Sequence, residues 1–217
     1  MATNAPSSDV AFTAAVKAAQ VGRGSREAYR RMEEERGGWQ TQVTPDLAAF
    51  LAERDSAFLA TANRAGQPYV QHRGGPKGFI RVLDEKTLGF ADFVGNRQYI
   101  TTGNLAENDR ALLFIMDYVE RRRVKIWGRA HVVENDPELV ARLMPEGYKA
   151  QPQQAIVFAI EAWDVNCPQH IPQKFDAADV AAAVEKLENR IGELEAENAR
   201  LHELLAQTKN FDTREKS

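Results

Sequence analysis

Short apolar stretches rich in β-branched and aromatic residues recur through the middle of the chain, each bounded by turn-forming residues. They fall at 57–63 (AFLATAN), 69–73 (YVQHR), 78–84 (GFIRVLD) and 87–93 (TLGFADF), and the pattern predicts a meander of antiparallel strands. Three more β-prone stretches follow at 111–119 (ALLFIMDYV), 123–133 (RVKIWGRAHVV) and 155–165 (AIVFAIEAWDV). The first of these is too continuously apolar for a surface strand. Between them, 97–108 is richer in polar residues and predicted helical in part, and 137–144 reads as a short helix. At least six strands with few helices between them predict a mainly β fold with flanking helices, an antiparallel barrel rather than a parallel sheet.

The two ends of the chain have a different period. Residues 8–38 place Phe12, Val16, Ala19, Tyr29 and Met32 on a polar background broken by glycines at 22, 24, 37 and 38, which predicts two short helices. Thr44 then caps a further helix, with Pro45 at its first position, Asp46 in its first turn and Leu47, Phe50 and Leu51 on one face; it ends near Asp55. Toward the C-terminus, Val180, Val184, Leu187, Ile191, Leu194, Asn198, Leu201 and Leu205 are spaced alternately four and three apart, a heptad seam. Leu187, Leu194 and Leu201 share one seam position, while Val184, Ile191, Asn198 and Leu205 share the other. β-branched residues opposite leucines, with one asparagine, favour a parallel two-stranded coil; the charged flanks EKLENR and ELEAEN leave only that narrow seam to bury. The expected organisation is therefore an N-terminal helical extension (1–43), a barrel domain (44–175), a coiled-coil helix (176–208) and a tail (209–217).

Composition narrows the function classes. Over 217 residues, 43% apolar and 27% charged is the profile of a soluble globular chain, and a net charge of -3 offers no general attraction for nucleic acid or an anionic membrane. No apolar run is long enough to cross a bilayer and the N-terminal stretch lacks the layout of a signal peptide, so the expected location is cytoplasmic. The single cysteine, Cys167, cannot form a disulfide within the chain, and with four scattered histidines there is no zinc-ligand spacing.

Residues 72–133 (HRGGPKGFIRVLDEKTLGFADFVGNRQYITTGNLAENDRALLFIMDYVERRRVKIWGRAHVV) resemble the FMN-binding split barrel of the pyridoxamine 5'-phosphate oxidase family in strand order and short motifs. The family's succession of a basic strand residue, an aromatic strand, a phosphate loop, an Asn-Pro-Arg turn, an apolar strand and an Arg-Gln-Val strand ending in glycine is matched here in order. The counterparts are Arg81, Phe90 to Asp92, Asn96-Arg97-Gln98, Asn108-Asp109-Arg110, Ala111 to Met116, and Arg122-Arg123-Val124 running to Gly128. The segment AWDVNCPQHI, 162–171, also looks like a signature of an uncharacterised branch of the superfamily. The chain departs from the family at three places: Gln98 replaces the second phosphate-binding base, Ala91-Asp92 replaces a Tyr-Thr pair, and Arg123 replaces a glutamine. Trp163 and His170 lie in the region of the family's C-terminal flavin contacts without a clean match.

The resemblance implies an FMN cofactor and a homodimer with the flavin at the interface of two barrels. A phosphate carrying nearly two charges needs arginine forks and glycines that let the backbone approach. Arg73, Gly74, Arg81, Ala91, Asp92, Asn96, Arg97 and Gln98 are the candidates that the resemblance implies for the cofactor site. Arg123 is the candidate for the pyrimidine edge of the flavin ring, where a cation favours the anion formed on reduction; as one of three consecutive arginines it can equally belong to a solvated turn. Asn166, Cys167, Gln169 and His170 form the most chemically varied cluster, with His170 the candidate proton donor and Cys167 a small hydrophobe or a redox thiol. His72 carries the same ambiguity as His170, between a structural and a functional histidine. The implied activity is hydride transfer between flavin N5 and a small substrate. A flavin reductase or heme-utilisation protein on the same fold, a deazaflavin in place of FMN, and a noncatalytic flavin-binding scaffold are the alternatives.

Overall fold

The computed structural model describes residues 5–166 and 168–214, so Cys167 and the end of the tail lie outside the described residues. The chain divides into two compact units, Met1–Pro172 and Gln173–Ser217.

The first unit runs α1 (Ala14–Gly22), α2 (Arg26–Arg36), α3 (Pro45–Ala52), β1 (Ser56–Ala62), β2 (Pro68–Gly74), β3 (Arg81–Val82), β4 (Thr87–Phe93), α4 (Ile100–Glu107), β5 (Arg110–Asp117), β6 (Arg122–Val133), α5 (Pro137–Leu143) and β7 (Pro152–Asn166). All strand pairs are antiparallel and form one seven-stranded sheet in the order β2-β1-β5-β6-β7-β4-β3. Period-two alternation sets the inner face: β1 buries Ala57, Leu59 and Thr61, β5 buries Leu113 and Ile115, and β6 buries Val124 and Ile126. Phe90, Ile156 and Phe158 join them, and α3 adds Leu47, Phe50 and Leu51 to the same core. The cap read from sequence forms, with Thr44 Oγ1 accepting from the Leu47 backbone N–H at 3.2 Å.

The sheet curls until its ends face each other. β2 and β4 stand first and sixth in the order, yet Gln71 to Gly74 and Phe90 to Phe93 line one hollow of about 180 Å³. No backbone ladder joins these two strands, so side chains close the seam: Arg73 pairs with Asp92, and α4 lies alongside. Thr101 donates to Gln71 at 2.7 Å and Asn104 to Thr61 at 3.0 Å. This is a split barrel, mainly β with flanking helices.

The stretch at 78–84 departs from expectation. Only Arg81 and Val82 pair with β4; Gly78 donates to the Arg54 carbonyl and Phe79 to that of Pro76, so a turn carries Phe79 and Ile80 into the core from a loop. Their apolar character reflects that plug and not a strand.

β7 is long enough to serve two regions. Its first part pairs with β4 through Pro152 to Ala159, and its last part, Ala162 to Asn166, pairs with β6 and with no other strand among the described residues. A bulge at Trp127/Gly128 leaves Glu161 unmatched between the two. Gly128 is required there, because a Cβ would stand 2.0 Å from the Ala159 carbonyl oxygen.

The N-terminal extension packs on this last part of β7. Arg26 pairs with Glu33, Ser8 donates to Glu33 at 3.2 Å, and Gln40 bridges to Trp163.

The second unit contains α6 (Ala177–Arg214). The heptad residues Val180, Val184, Leu187, Ile191, Leu194, Leu201 and Leu205 are between 43% and 64% exposed on it.

Candidate functional site

Strand alternation puts Gln71 and Arg73 on one face of β2, and curling of the sheet brings that face to Asp92 on β4. The Arg73 and Asp92 side chains are only 11% and 13% exposed. The second Asp92 oxygen accepts from Gln154 Nε2 at 2.8 Å, and Gln154, itself 4% exposed, also donates to Thr102 at 3.2 Å. A chain of polar contacts thus links β2, β4, β7 and α4. Arg73 keeps one donor unused: its Nε is buried without an acceptor.

The loop after β4 forms the outer wall. Asn96 Oδ1 accepts from the Gln98 backbone N–H at 3.3 Å, a turn that holds Arg97 in the left-handed region at φ 60°. Tyr99 follows at φ 53°, its hydroxyl accepting from Gln153 at 2.8 Å. Asn96, Arg97 and Gln98 are exposed and line the cleft together with Thr101 and Thr102. Arg97 has no ion-pair partner among the described residues. α4 begins at this point with no side-chain cap on its first turn, so its free backbone N–H groups add partial positive charge. Two arginines, the Thr102 hydroxyl and an uncapped helix start are an anion-binding set.

The cleft therefore gathers Arg73, Gly74, Ala91, Asp92, Asn96, Arg97 and Gln98. Arg81 is elsewhere: exposed on β3, it lines a separate hollow with Ala48, Leu51 and Gly78. Arg123 stands beside Asn166, at the far end of β7 from Gln154; the twelve residue steps between Gln154 and Asn166 amount to about 40 Å of strand. Of its neighbours, Arg121 is an exposed turn residue at φ 50°, and Arg122 pairs with Asp46 and lies 4.9 Å from the Phe50 ring, holding the Asp46 carboxyl below its ordinary range. His170 is an exposed turn residue at φ 63° that lines neither part of the cleft. His72 shares a hydrogen bond of 2.9 Å with Ser56 and packs edge-on to Phe58. Trp163 is core: its indole N–H donates to the Gln42 carbonyl at 2.8 Å.

Gln71, Thr101, Thr102 and Gln153 line the cleft and Gln154 supports Asp92 from behind; none of these five was anticipated. The QPQQ run at 151–154, polar residues opening a strand, was the available signal for Gln153 and Gln154.

Among solved structures, the chain is similar to HupZ of Group A Streptococcus, with 17% identity, a TM-score of 0.48, and 61% of this chain and 99% of that one covered. An FMN-binding protein of Syntrophomonas wolfei is 13% identical, with a TM-score of 0.45 and coverage of 69% and 96%. The heme storage protein HutZ of Vibrio cholerae is 18% identical, with a TM-score of 0.42 and coverage of 58% and 94%. No curated protein matches the sequence. The family model of pyridoxamine 5'-phosphate oxidase matches residues 43–167, more than half of the chain and every residue of the cleft, so the chain belongs to the pyridoxamine 5'-phosphate oxidase family.

Proposed function

We propose that the cleft holds the phosphate of FMN and that the protein is an FMN-dependent oxidoreductase acting on a small substrate. The observation that carries this reading is the convergence of Arg73, Arg97 and the uncapped start of α4 on one cleft of a family barrel. The donor set fits the group. The unused Arg73 Nε and the unpaired Arg97 guanidinium supply charge-assisted donors, while Thr102 and Gln98 supply neutral ones. FMN, when bound, supplies a ring that takes up or gives hydride at N5.

The chain's own residues would do the rest. Arg97 and Arg73 bind and orient the phosphate, and Asp92 limits how much of Arg73 is available. Arg123, distant from the cleft within one subunit, meets the ring only if a second barrel brings it there. This is one reason to read the working form as a homodimer. The α6 seam is another, since a parallel coil about a twofold axis joins two copies in register, with Asn198 facing its twin. His170 remains the candidate proton donor to substrate. Arg81 is retained as a cofactor contact only through the same dimer.

The test is to release and identify the chromophore of the purified full chain by mass spectrometry, then titrate the stripped protein with FMN and riboflavin. Arg97→Ala should weaken FMN by about ten- to a hundredfold, the loss of one charge-assisted contact, and leave riboflavin unchanged. Arg121→Ala should alter neither. A heme chromophore, or an Arg97→Ala protein with the wild-type FMN constant, would overturn the assignment. A cysteine at Leu194 should form an intersubunit disulfide under oxidising conditions if the coil is parallel and in register.

A further inference from the structure

A hollow larger than the cleft lies elsewhere in the first unit. It has a volume of about 690 Å³ and lies between α2, the segment after it and the last part of β7. That is within the range of small-molecule sites, roughly 300 to 1,000 Å³. Its apolar walls are Tyr29 and Met32 on α2, Trp39, and Trp163 on β7; Asp164 is the one carboxylate on the lining and Arg36 stands exposed at the lip.

The walls are fixed by contacts that do not involve a ligand. Trp39 stacks on Trp127 with ring centroids 4.6 Å apart and 12° between planes, and Phe12 meets it edge-on at 4.9 Å. The Trp163 backbone N–H donates to the Gln40 carbonyl at 2.8 Å, and Ser7 donates to the Trp39 carbonyl at 2.6 Å. Gly38, at φ 104°, lets the chain pass Ser7, whose Oγ would lie 2.6 Å from any added Cβ. A hollow held open in this way costs a ligand little ordering entropy.

Charge sets the kind of ligand. Asp164 is half-buried and has no ion-pair partner within 4.0 Å among the described residues. Its cross-strand neighbour Lys125 instead places its ammonium 5.0 Å from the Trp127 ring centroid. Burial pushes the Asp164 carboxyl up and the Lys125 ammonium down, the Coulombic attraction between them only partly opposing this. A carboxylate left in an aromatic recess without a counter-ion gains most from a cationic donor that brings its own apolar body.

We propose that this hollow is a second binding site, distinct from the Arg73 cleft, for a small planar aromatic molecule carrying an amidinium or ammonium group. The ring lies among Tyr29, Met32 and Trp39, and the cation sits on Asp164. Nothing in this assignment depends on flavin binding. An aromatic acid is the opposite choice, and its only anchor would be the solvated Arg36.

The chain has three tryptophans, and all of them line this hollow or stack on its wall, so intrinsic fluorescence reports on it directly. The full chain is titrated with benzamidine, with neutral benzamide and with benzoate. Benzamidine should give a saturable change, weakened at least about tenfold by Asp164→Asn, the loss of one charge-assisted contact. Benzamide should bind weakly and equally to both proteins. If Asp164→Asn does not fold, Met32→Lys, which sets a cation among the aromatic walls, should abolish the benzamidine signal. The proposal fails if benzamidine gives no saturable change, if neither variant weakens it, or if benzoate binds more tightly than benzamidine.

Discussion

The cleft at the barrel split and the hollow under α2 are served by opposite ends of one strand, β7, and they treat a part-buried carboxylate in opposite ways. In the cleft, Asp92 is held by Arg73 and Gln154, and the pair closes a seam that backbone hydrogen bonds leave open. In the hollow, Asp164 has no ion-pair partner within 4.0 Å among the described residues, and its walls stay in place through aromatic stacking and backbone contacts. The difference teaches that the cleft's charge is part of the fold, whereas the hollow's charge is not. A ligand entering the cleft has to share or take over Arg73 from Asp92; a ligand entering the hollow displaces no ion pair.

The hardest blow to this contrast falls on the bulge that keeps the two ends of β7 apart. Gly128→Ala would drive a Cβ into the Ala159 carbonyl, and with no flexible side chain to yield, the β6–β7 ladder must shift. A loss of about 4 kcal/mol or more is expected in denaturant melts, with both sites damaged together. A Gly128→Ala protein of near wild-type stability would mean that the bulge does not separate them.

Next in size is Arg73→Ala, which leaves Asp92 buried without its cation and should cost about 3 to 5 kcal/mol. Replacing the pair together, Arg73→Met with Asp92→Leu, should recover much of that stability while abolishing tight FMN binding. If Arg73→Ala alone proved neutral in stability, the seam would be closed by α4 and not by the ion pair.

A smaller effect, and one specific to ligand binding, is expected of Asp92→Asn. It releases Arg73 to a phosphate and should raise FMN affinity by about tenfold with riboflavin unchanged, as calorimetry would show. An equal gain for riboflavin would place the effect at the ring and not the phosphate.

The smallest change is expected in the stability of Asp164→Asn. The folded-state pKa of Asp164 is raised, so its contribution is fully present below the unfolded value and is lost as pH rises through the folded one. At neutral pH the ionised group is therefore a cost, and asparagine should stabilise slightly, by less than about 0.5 kcal/mol once solvent screening of a half-exposed group is allowed for. Thermal melts at pH 7 and pH 3 should show the gain at the higher pH only. A variant less stable than wild type at pH 7 would mean that Asp164 has a partner in solution.

Much of this was legible one segment at a time. The Thr44 cap, the alternation of β1 and β6, the glycine-punctuated N-terminal helices and the helical period of α6 rest on contacts between near neighbours in sequence, which periodicity records. The site was legible only as a set of residue types. Arg73 and Arg81 look alike in sequence, and 78–84 looked like a full strand; the turn at Pro76 and Gly78 shortens it and directs Arg81 to another surface. The QPQQ run marks Gln154 as a polar residue opening a strand, but its partner Asp92, 62 residues away, is set by the sheet alone.

The sequence by itself determined most of the elements and the barrel class, which follow from local spacing and side-chain chemistry, and its resemblance supplied the family. Tertiary structure alone decided which charges are neutralised inside the molecule. Asp92 and Asp164 are both acidic residues at the end of an aromatic-rich strand. Closure of the barrel brings Arg73 to the first, whereas Lys125, cross-strand from the second, places its ammonium over Trp127 and forms no ion pair within 4.0 Å among the described residues. Ion pairing falls off within a few ångströms, and those distances are fixed by sheet curvature and a bulge that no local pattern encodes.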